Sequence, residues 1–469
     1  MKHKRLKKIS KSAMLAGCAV IILAVCIGIV IIKKKGNLSG LFNHGDPTNV
    51  NNIISSSGIV TVEAAAPEPT AANLSAQRFR EGDEHWNWWN SYRELVSESE
   101  AVRSGMDGYY ISLMEKLLSG KDENTVCSPL NTYIAFAMLA EVSDGNTRQQ
   151  ILDMLGAADI EILRSNIQSL WNCNYVDTPI LKSKLANSLW LRDNFTYNDD
   201  TLNVLAQQYH ASSFIGVPGS EKMDKALQMW TDKNTGGLLS DYTKDMSLDT
   251  DTVLTLVSTI YYKAMWTNEF NERGTTKEAF HGTKNDAMVD MMHKTDTMPV
   301  YSTDTFTALG IGLNDSGAMY FYLPEEGVDV DLLASDPDIL KATGYGQDDH
   351  WSHPLVNLSV PKFKVQGKID LLDTLPKLGV TDALDPEISD FSVLTDVMDE
   401  LYLDKAEHAA MVEIDEYGVT GAAYTEMDVN AGSALPQEQI DFVIDRPFMF
   451  MITGMDGSIL FSGIIKNVD

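Results

Sequence analysis

Residue types that do chemistry are present in this chain of 469 residues, but few stand at a working spacing. Asp315-Ser316-Gly317 has the acid, hydroxyl and glycine of a nucleophile turn, yet no Gly precedes it and no His and Asp partners accompany it. Asp348, Asp349, His350 and His353 are metal-ligand types in a polar loop, where adventitious spacing accounts for them. Asp249-Thr-Asp251 lacks the Gly and distal Glu of a calcium loop. There is no Gly-x-Ser-x-Gly, His-Glu-x-x-His, phosphate loop or dinucleotide fingerprint. The cysteines Cys18, Cys26, Cys127 and Cys173 show no metal or redox spacing and define no disulfide framework. The expectation is a protein that is not an enzyme, with no cofactor and no metal site.

The stretch Glu416 to Pro436 carries a different kind of chemistry. Taken two residues at a time, Val419, Gly421, Ala423, Thr425, Met427, Val429 and Ala431 form an apolar or small set. Thr420, Ala422, Tyr424, Glu426, Asp428 and Asn430 form a largely polar one. A period of two with one apolar face is the pattern of a half-buried strand. The stretch is rich in Gly and Ala and poor in large anchors, so it is a weak strand on its own. A segment able to be a strand but loosely committed to it is a candidate switch; the plainer alternative is an exposed edge strand or hairpin loop.

The elements that must position this stretch are mixed. Met106 to Leu118, Leu130 to Ala140, Asn146 to Leu155, Leu202 to Tyr209 and Met223 to Asn234 read as helices. Ser128 stands as cap and Pro129 as first-turn residue of the second of these. Leu181 to Leu191, Leu254 to Lys263, Leu355 to Val365, Phe448 to Thr453 and Ser458 to Ile465 read as strands. Helices and strands do not alternate regularly, which argues an α+β fold.

Ahead of this body lie three segments. Residues 1–12 are a basic tail, and residues 13–32 an uninterrupted apolar run closed by Lys33-Lys34-Lys35. Such a run is long enough to cross a bilayer as a helix, which takes about 20 residues. Six basic residues precede it and three follow, so a cytoplasmic N-terminus and an external body are expected, through a signal-anchor on the cell membrane. A cleaved secretory signal, giving a secreted protein, is the alternative; Leu15-Ala-Gly-Cys18 has the form of a lipoprotein box, but the apolar core follows the Cys instead of preceding it. Residues 33–95 are expected to be a flexible linker ending in a short aromatic helix, with Trp86, Trp89 and Tyr92 at helical spacing. The globular domain is expected over residues 96–469.

The net charge is −29, and nine of the 37 basic residues fall before residue 36, where there is no acid. The remaining 28 face 66 acidic residues, a balance of −38. A body this acidic is not built for nucleic acid. It repels anionic surfaces and is able to steer basic partners.

Several stretches, in order, carry a family resemblance. They are Asn124-Thr-Val-Cys-Ser-Pro-Leu-Asn131, Ala135-Phe-Ala-Met-Leu139, Ala186-Asn-Ser-Leu-Trp-Leu191 and Leu256-Val-Ser-Thr-Ile-Tyr-Tyr-Lys-Ala-Met-Trp266. Val360-Pro-Lys-Phe363, Leu378-Gly-Val380, His408-Ala-Ala-Met-Val-Glu-Ile-Asp-Glu-Tyr-Gly418, Asp445-Arg-Pro-Phe-Met-Phe450 and Ile459-Leu-Phe-Ser-Gly463 follow. From about Met106 to the C-terminus the chain resembles the serpin family. The resemblance implies three β-sheets, about nine helices and an exposed reactive-centre loop. It also implies a monomer that inhibits a serine protease as a suicide substrate: the loop is cleaved, an acyl-enzyme forms, and the loop inserts into the central sheet before water releases the protease. Serpin loop insertion is itself a standard example of strand addition.

The same resemblance distributes roles. Glu416, Tyr417, Gly418, Val419, Thr420, Gly421, Ala422 and Ala423 fall at the loop hinge, where small inward residues ease insertion. Gly418 relaxes the backbone, Val419 stands where a small Thr or Ser is usual, and no charge or Pro occupies the inward set. Trp266, Lys362 and Glu416 match a control point at the top of the sheet, with a Lys362–Glu416 ion pair expected. Ser128, Asn131, Ser258 and His408 match a polar cluster at mid-sheet; Asn131 stands where Ser is usual and Ser258 where Asn is usual, an exchange expected to keep the hydrogen bonding. Counting forward from the hinge puts the scissile bond at Gly432–Ser433, within the window Val429, Asn430, Ala431, Ala434, Leu435. Counting back from Arg446-Pro447-Phe448 lands about four residues later, near Pro436, and the end of the alternation at Ala431 favours the earlier bond. The window holds no Arg or Lys, and its small residues suit an elastase-like or subtilisin-like target, while Leu435 leaves a chymotrypsin-like one open.

Overall fold

A computed structural model describes residues 58–65, 67–344, 349–396, 401–420 and 438–468. The apolar run at 13–32, the loop residues Gly421–Gln437 and Asp348 lie outside the described residues. Among the described residues no helix is long and apolar enough to cross a membrane.

The described helices are α1 (Ala76–Arg80), α2 (Asp83–Arg103), α3 (Asp107–Leu118), α4 (Pro129–Val142), α5 (Gly145–Leu155), α6 (Ile160–Asn174), α7 (Asp199–Gln208), α8 (Glu221–Asn234), α9 (Ser240–Thr243) and α10 (Asp338–Lys341). The strands build three sheets, as the resemblance implies. The largest contains β1 (Val60–Val62), β3 (Val176–Asp177), β4 (Leu181–Arg192), β5 (Ala211–Gly216), β6 (Leu254–Met265), β14 (Phe363–Asp370), β15 (Lys405–Ile414) and β16 (Gly418–Val419). Its order is β1-β5-β4-β6-β16-β15-β14, with β3 paired to β4. A seven-stranded sheet contains β2 (Thr125–Cys127), β9 (Val300–Ser302), β10 (Phe306–Gly312), β11 (Ala318–Pro324), β12 (Trp351–Ser352), β18 (Phe448–Thr453) and β19 (Ile459–Ile465). A four-stranded one runs β17 (Gln439–Val443), β13 (Leu355–Pro361), β8 (Asp286–Thr297), β7 (Thr276–His281).

Helix α4 is the axis of the core. All fourteen of its residues are buried, as expected of a helix apolar on every side. Its N-terminus has Pro129 at the first turn, where a missing N–H costs nothing. Ser128 is the cap residue, but its side chain makes no capping bond, contrary to the sequence expectation. On β6, Leu254, Leu256, Ile260, Tyr262 and Ala264 face the main core, whereas Val257 belongs to a second cluster with Trp190, Met223, Leu227 and Trp230 beneath α8. The central sheet is thus covered on both faces, which explains why β6 reads as a near-continuous apolar run.

Four further sequence expectations need correction. Leu355 to Val365 is not one strand: it breaks after Pro361, whose ring cannot donate to a ladder, and passes from the four-stranded sheet (β13) to the large one (β14) with Lys362 at the corner. The segment expected as a flexible linker is not structureless ahead of the aromatic helix. Val60–Val62 pair antiparallel with Ile215, Phe214 and Ser213, giving the large sheet an added outer strand, and Phe79 of α1 is fully buried against Ile180 and Met265. The aromatic helix is longer than expected; of its expected face, Tyr92 is buried and Trp89 packs against the core, whereas Trp86 is exposed and Trp88 instead stacks on Tyr92 at 4.8 Å. Helix α2 runs across the expected domain boundary at residue 96 without interruption.

Candidate functional site

The described residues of the expected hinge, Glu416 to Thr420, sit at the top of the large sheet. β16 is two residues long and lies between β6 and β15: Gly418 pairs with Met265, Val419 with Ala264 and, on the other side, with Ile414. A tight turn delivers it. Asp415 accepts the N–H groups of Tyr417 and Gly418 through Oδ1 at 2.9 and 3.1 Å, and its own N–H donates to the Gly418 carbonyl at 3.1 Å. Such a side-chain-to-backbone turn suits Asp two residues before the acceptor geometry is needed. Only Gly fits next: a Cβ on residue 418 would stand 2.1 Å from the Ala264 carbonyl oxygen and 2.8 Å from the Met265 Cα. Val419 is fully buried. Thr420 adopts φ +57° and donates its N–H to the Glu413 carbonyl at 2.6 Å.

The three top-of-sheet residues come together around this turn. Lys362 Nζ meets Glu416 Oε2 at 2.8 Å, and Thr275 Oγ1 donates to the other carboxylate oxygen at 2.7 Å. Trp266 is buried, donates its indole N–H to the Asp415 carbonyl at 2.9 Å and its main-chain N–H to Tyr417 O at 3.0 Å. Glu416 is itself buried. Burial works against its charge, but Lys362 and Thr275 more than offset this and hold its pKa below the ordinary value. Burial likewise works against charged Lys362, and the Glu416 carboxylate reverses it, so the ammonium is held. Tyr417 donates its hydroxyl to Glu272, which pushes the phenol up to about 12.

Below the hinge the sheet is joined differently. The β6–β15 ladder runs only from Lys405–Thr255 to His408–Ser258. At its upper end lies the mid-sheet cluster. The Ser128 N–H donates to His408 Nε2 at 2.8 Å, and Ser258 Oγ donates to Asn187 Oδ1 at 2.7 Å. Ser258 Oγ also lies 3.2 Å from the main-chain oxygen of Asn131. The expected Asn–Ser exchange is therefore not made side chain to side chain: Asn187 on β4 supplies the amide partner. Ser128 Oγ, both ends of the Asn131 amide and His408 Nδ1 are buried with no hydrogen-bond partner among the described residues. Burial alone depresses the His408 pKa to about 4, so the ring is neutral at neutral pH. A cavity of about 10 Å³ borders Thr132, Phe136, Leu256, Ser258 and His408.

The enzyme-like constellations take structural places. Ser316 Oγ accepts the Tyr262 hydroxyl, and both Asp315 oxygens contact His85 Nε2 at 2.9–3.0 Å. Cys127 and Cys173 are buried, and burial raises both thiols, the opposite of what a nucleophile needs. Among the described residues no three His, Cys, Asp or Glu side chains cluster as metal ligands would. Sequence reasoning missed Asn187, Thr275, Asp415 and Glu272. Asn187 and Asp415 stood inside stretches already singled out, but with no role assigned; Thr275 and Glu272 sit at a short 3-10 turn with no periodicity to mark them.

Comparison with known proteins gives one answer. A family model described as Serpin (serine protease inhibitor) matches residues 107–468. Alpha-1-antiproteinase 2 of Equus caballus is 31% identical over 338 residues, covering 70% of this chain and 77% of that protein. Neuroserpin of Mus musculus is 28% identical over 378 residues, covering 74% and 87%. Among solved structures, the native state of the thermophilic serpin tengpin superposes with a TM-score of 0.70 at 24% identity, covering 78% of this chain and 94% of that one. A thyroxine-binding globulin complex with thyroxine gives 0.64 at 24%, covering 79% and 99%. At these identities the structural likeness speaks for the fold alone.

Proposed function

The chain belongs to the serpin family, and from that premise we propose that it inhibits serine proteases as a suicide substrate. A target protease attacks the loop after β16, its serine forms an acyl-enzyme, and the freed loop enters between β6 and β15 before deacylation. The observation that supports this reading is the seating of β16. Continued without a shift, the pairs Gly418–Met265 and Val419–Ala264 run on to Val429–Leu254, the far end of β6. The same continuation against β15 follows from the Ile414–Val419 pair. The apolar set from Val419 to Val429 then faces the core alongside Leu254, Leu256, Ile260, Tyr262 and Ala264. The loop's alternation has the length and phase of the slot.

In this reading Lys362, Glu416 and Trp266 govern loop admission at the top, and Ser128, Asn131, Ser258 and His408 govern opening lower down. Cleavage is assigned to Gly432–Ser433, and an elastase-like or subtilisin-like protease is the target. The domain acts outside the cell, held by the apolar run at 13–32 or secreted after its removal. A second reading, a non-inhibitory binding or scaffold protein at the cell surface, draws on the fold likeness to the thyroxine-binding globulin complex.

Incubation with elastase- and subtilisin-type proteases separates the two. Inhibition predicts a complex that survives denaturing electrophoresis, and a released C-terminal peptide beginning at Ser433 by mass spectrometry. Cleavage without any such complex assigns the second reading.

A further inference from the structure

Two elements ahead of residue 107, where the family match begins, reach the end of β6 that receives the hinge. On β6, Met265 pairs with Gly418 of β16. Among buried residues the Met265 side chain clusters with neither the main core nor the group beneath α8, but with Phe79 of α1 and with Ile180. Ile180 precedes Leu181, whose partner in the sheet is Ala264. Phe79 therefore backs the tip of the β4–β6 ladder from outside the main core. Its ring is fully buried, and that burial holds a helix of five residues, too short to stand alone.

A second contact reaches the same place by another route. Phe79 meets His85 of α2 edge to face at 5.3 Å, and His85 Nε2 lies 2.9 and 3.0 Å from the Asp315 carboxylate oxygens. Asp315 adopts φ +56° in the turn between β10 and β11. That turn is bound to β6. Asn314 donates its N–H to Met265 O at 2.9 Å and its side-chain amide to Trp266 O at 3.0 Å, and the Tyr262 hydroxyl donates to Ser316 Oγ at 2.9 Å. Trp266 passes the contact on, donating its N–H to Tyr417 O at 3.0 Å. The far half of α2 is fixed to the turn between β18 and β19: Ser99 Oγ donates to Asp456 at 2.5 Å, and Arg103 Nε to the Gly457 carbonyl at 2.8 Å. Together α1 and α2 form a brace from the seven-stranded sheet to the tip of β6.

The tip has a reason to need bracing. From Thr259 to Lys263, β6 pairs with β4 alone among the described residues; the direct ladder to β15 ends at Ser258, and β16 covers only Ala264 and Met265. Those two β16 pairs are the seed of any strand that enters above them. A ladder that already exists grows without a further loop-closure cost, whereas an unseated β16 must find β6 again while the acyl-enzyme hydrolyses. We propose that Phe79 and His85 are positioning residues for inhibition: they hold the Met265 end of β6 where Gly418 and Val419 pair with it, and so keep insertion seeded. This deepens the inhibitory reading and rests on it.

The full chain with His85→Ala tests this, since His85 is partly exposed and its loss leaves the core packed. Amide exchange at Trp266 and across Glu416–Thr420 is predicted to quicken about ten-fold, with β13 and β17 unchanged. The moles of chain consumed per mole of protease inhibited rise roughly three-fold, the effect of one hydrogen bond, while the rate of attack on the loop stays at wild type. Phe79→Ala gives the same signature at larger size, and Phe79→Leu, which keeps an apolar side chain, recovers most of it. Wild-type exchange at the hinge in His85→Ala overturns the proposal. So does exchange that quickens equally in all three sheets, which marks a general loss of stability, and so does faster hinge exchange with wild-type consumption; each leaves the inhibitory reading standing. A wild-type chain that traps no protease overturns that reading and the role in inhibition with it, whereas exchange, read without any protease, still decides whether the brace seats β16.

Discussion

The Lys362–Glu416 pair illustrates how a charged contact here serves geometry. Glu416 is buried and Lys362 partly open to water, so the attraction is screened on one side. Its consequence is felt when one partner goes: Lys362→Ala leaves a buried carboxylate with Thr275 alone. The expected cost is about 1–2 kcal/mol, read as a lower urea midpoint, because the buried group keeps its desolvation penalty. His408 makes a pH prediction. Its pKa falls from an unfolded value near 6.5 to about 4 in the fold. The unfolded chain binds the proton first, so native stability is intact above pH 6.5 and is lost as the pH falls toward 4, by an amount on the order of 3 kcal/mol. His408→Ala removes that slope and changes the rate at which the sheet opens; an insertion rate equal to wild type rules out its control role. At this scale the sequence was legible where a motif placed a residue: Lys362, Glu416 and Trp266 meet as expected. It was not legible where partners come from distant turns. Nothing local marked Asp415 as the acceptor that shapes the hinge, or Asn187 rather than Asn131 as the partner of Ser258.

At the level of elements, β16 is the part everything else accommodates. It occupies the top of the slot, while the direct β6–β15 ladder closes only the bottom four residue pairs. Gly418 has no room for a Cβ, so Gly418→Ala must push β16 out of the slot or spread β6 from β15. Val419→Glu places a charge on the core face at a position with no solvent access. Both variants are predicted to slow insertion enough that the chain is cleaved as an ordinary substrate, measured as a rise in the moles of chain consumed per mole of protease inhibited. Periodicity found most of the long elements, including α4 and β6, because burial on both faces writes continuous apolar runs. It joined β13 to the start of β14 because Val360 to Val365 carries apolar residues on both sides of the break; only the sheet assignment reveals the corner at Pro361-Lys362. It missed β1 and α1, whose few residues draw their order from the edge of β5 and from the pocket of Ile180 and Met265, neither of which is written in the segment itself.

At the scale of the whole molecule the net charge bears on encounter with a partner. A body with 28 basic and 66 acidic residues past residue 35 favours encounter with a protease basic around its cleft. The association rate is therefore predicted to fall as salt rises from about 0.05 to 0.5 M, over which the Debye length shrinks several-fold; a flat response removes steering. The central claim, that the loop becomes a strand between β6 and β15, has a direct readout in amide hydrogen exchange. In the intact chain the segments Thr259–Lys263 and Ala409–Glu413 face each other without a direct ladder between them. Cleavage of the loop should slow exchange of their slot-facing amides by orders of magnitude, while β17 and β13 in the four-stranded sheet change little. Exchange in those two segments that is the same before and after cleavage would contradict loop insertion and the inhibitory mechanism built on it.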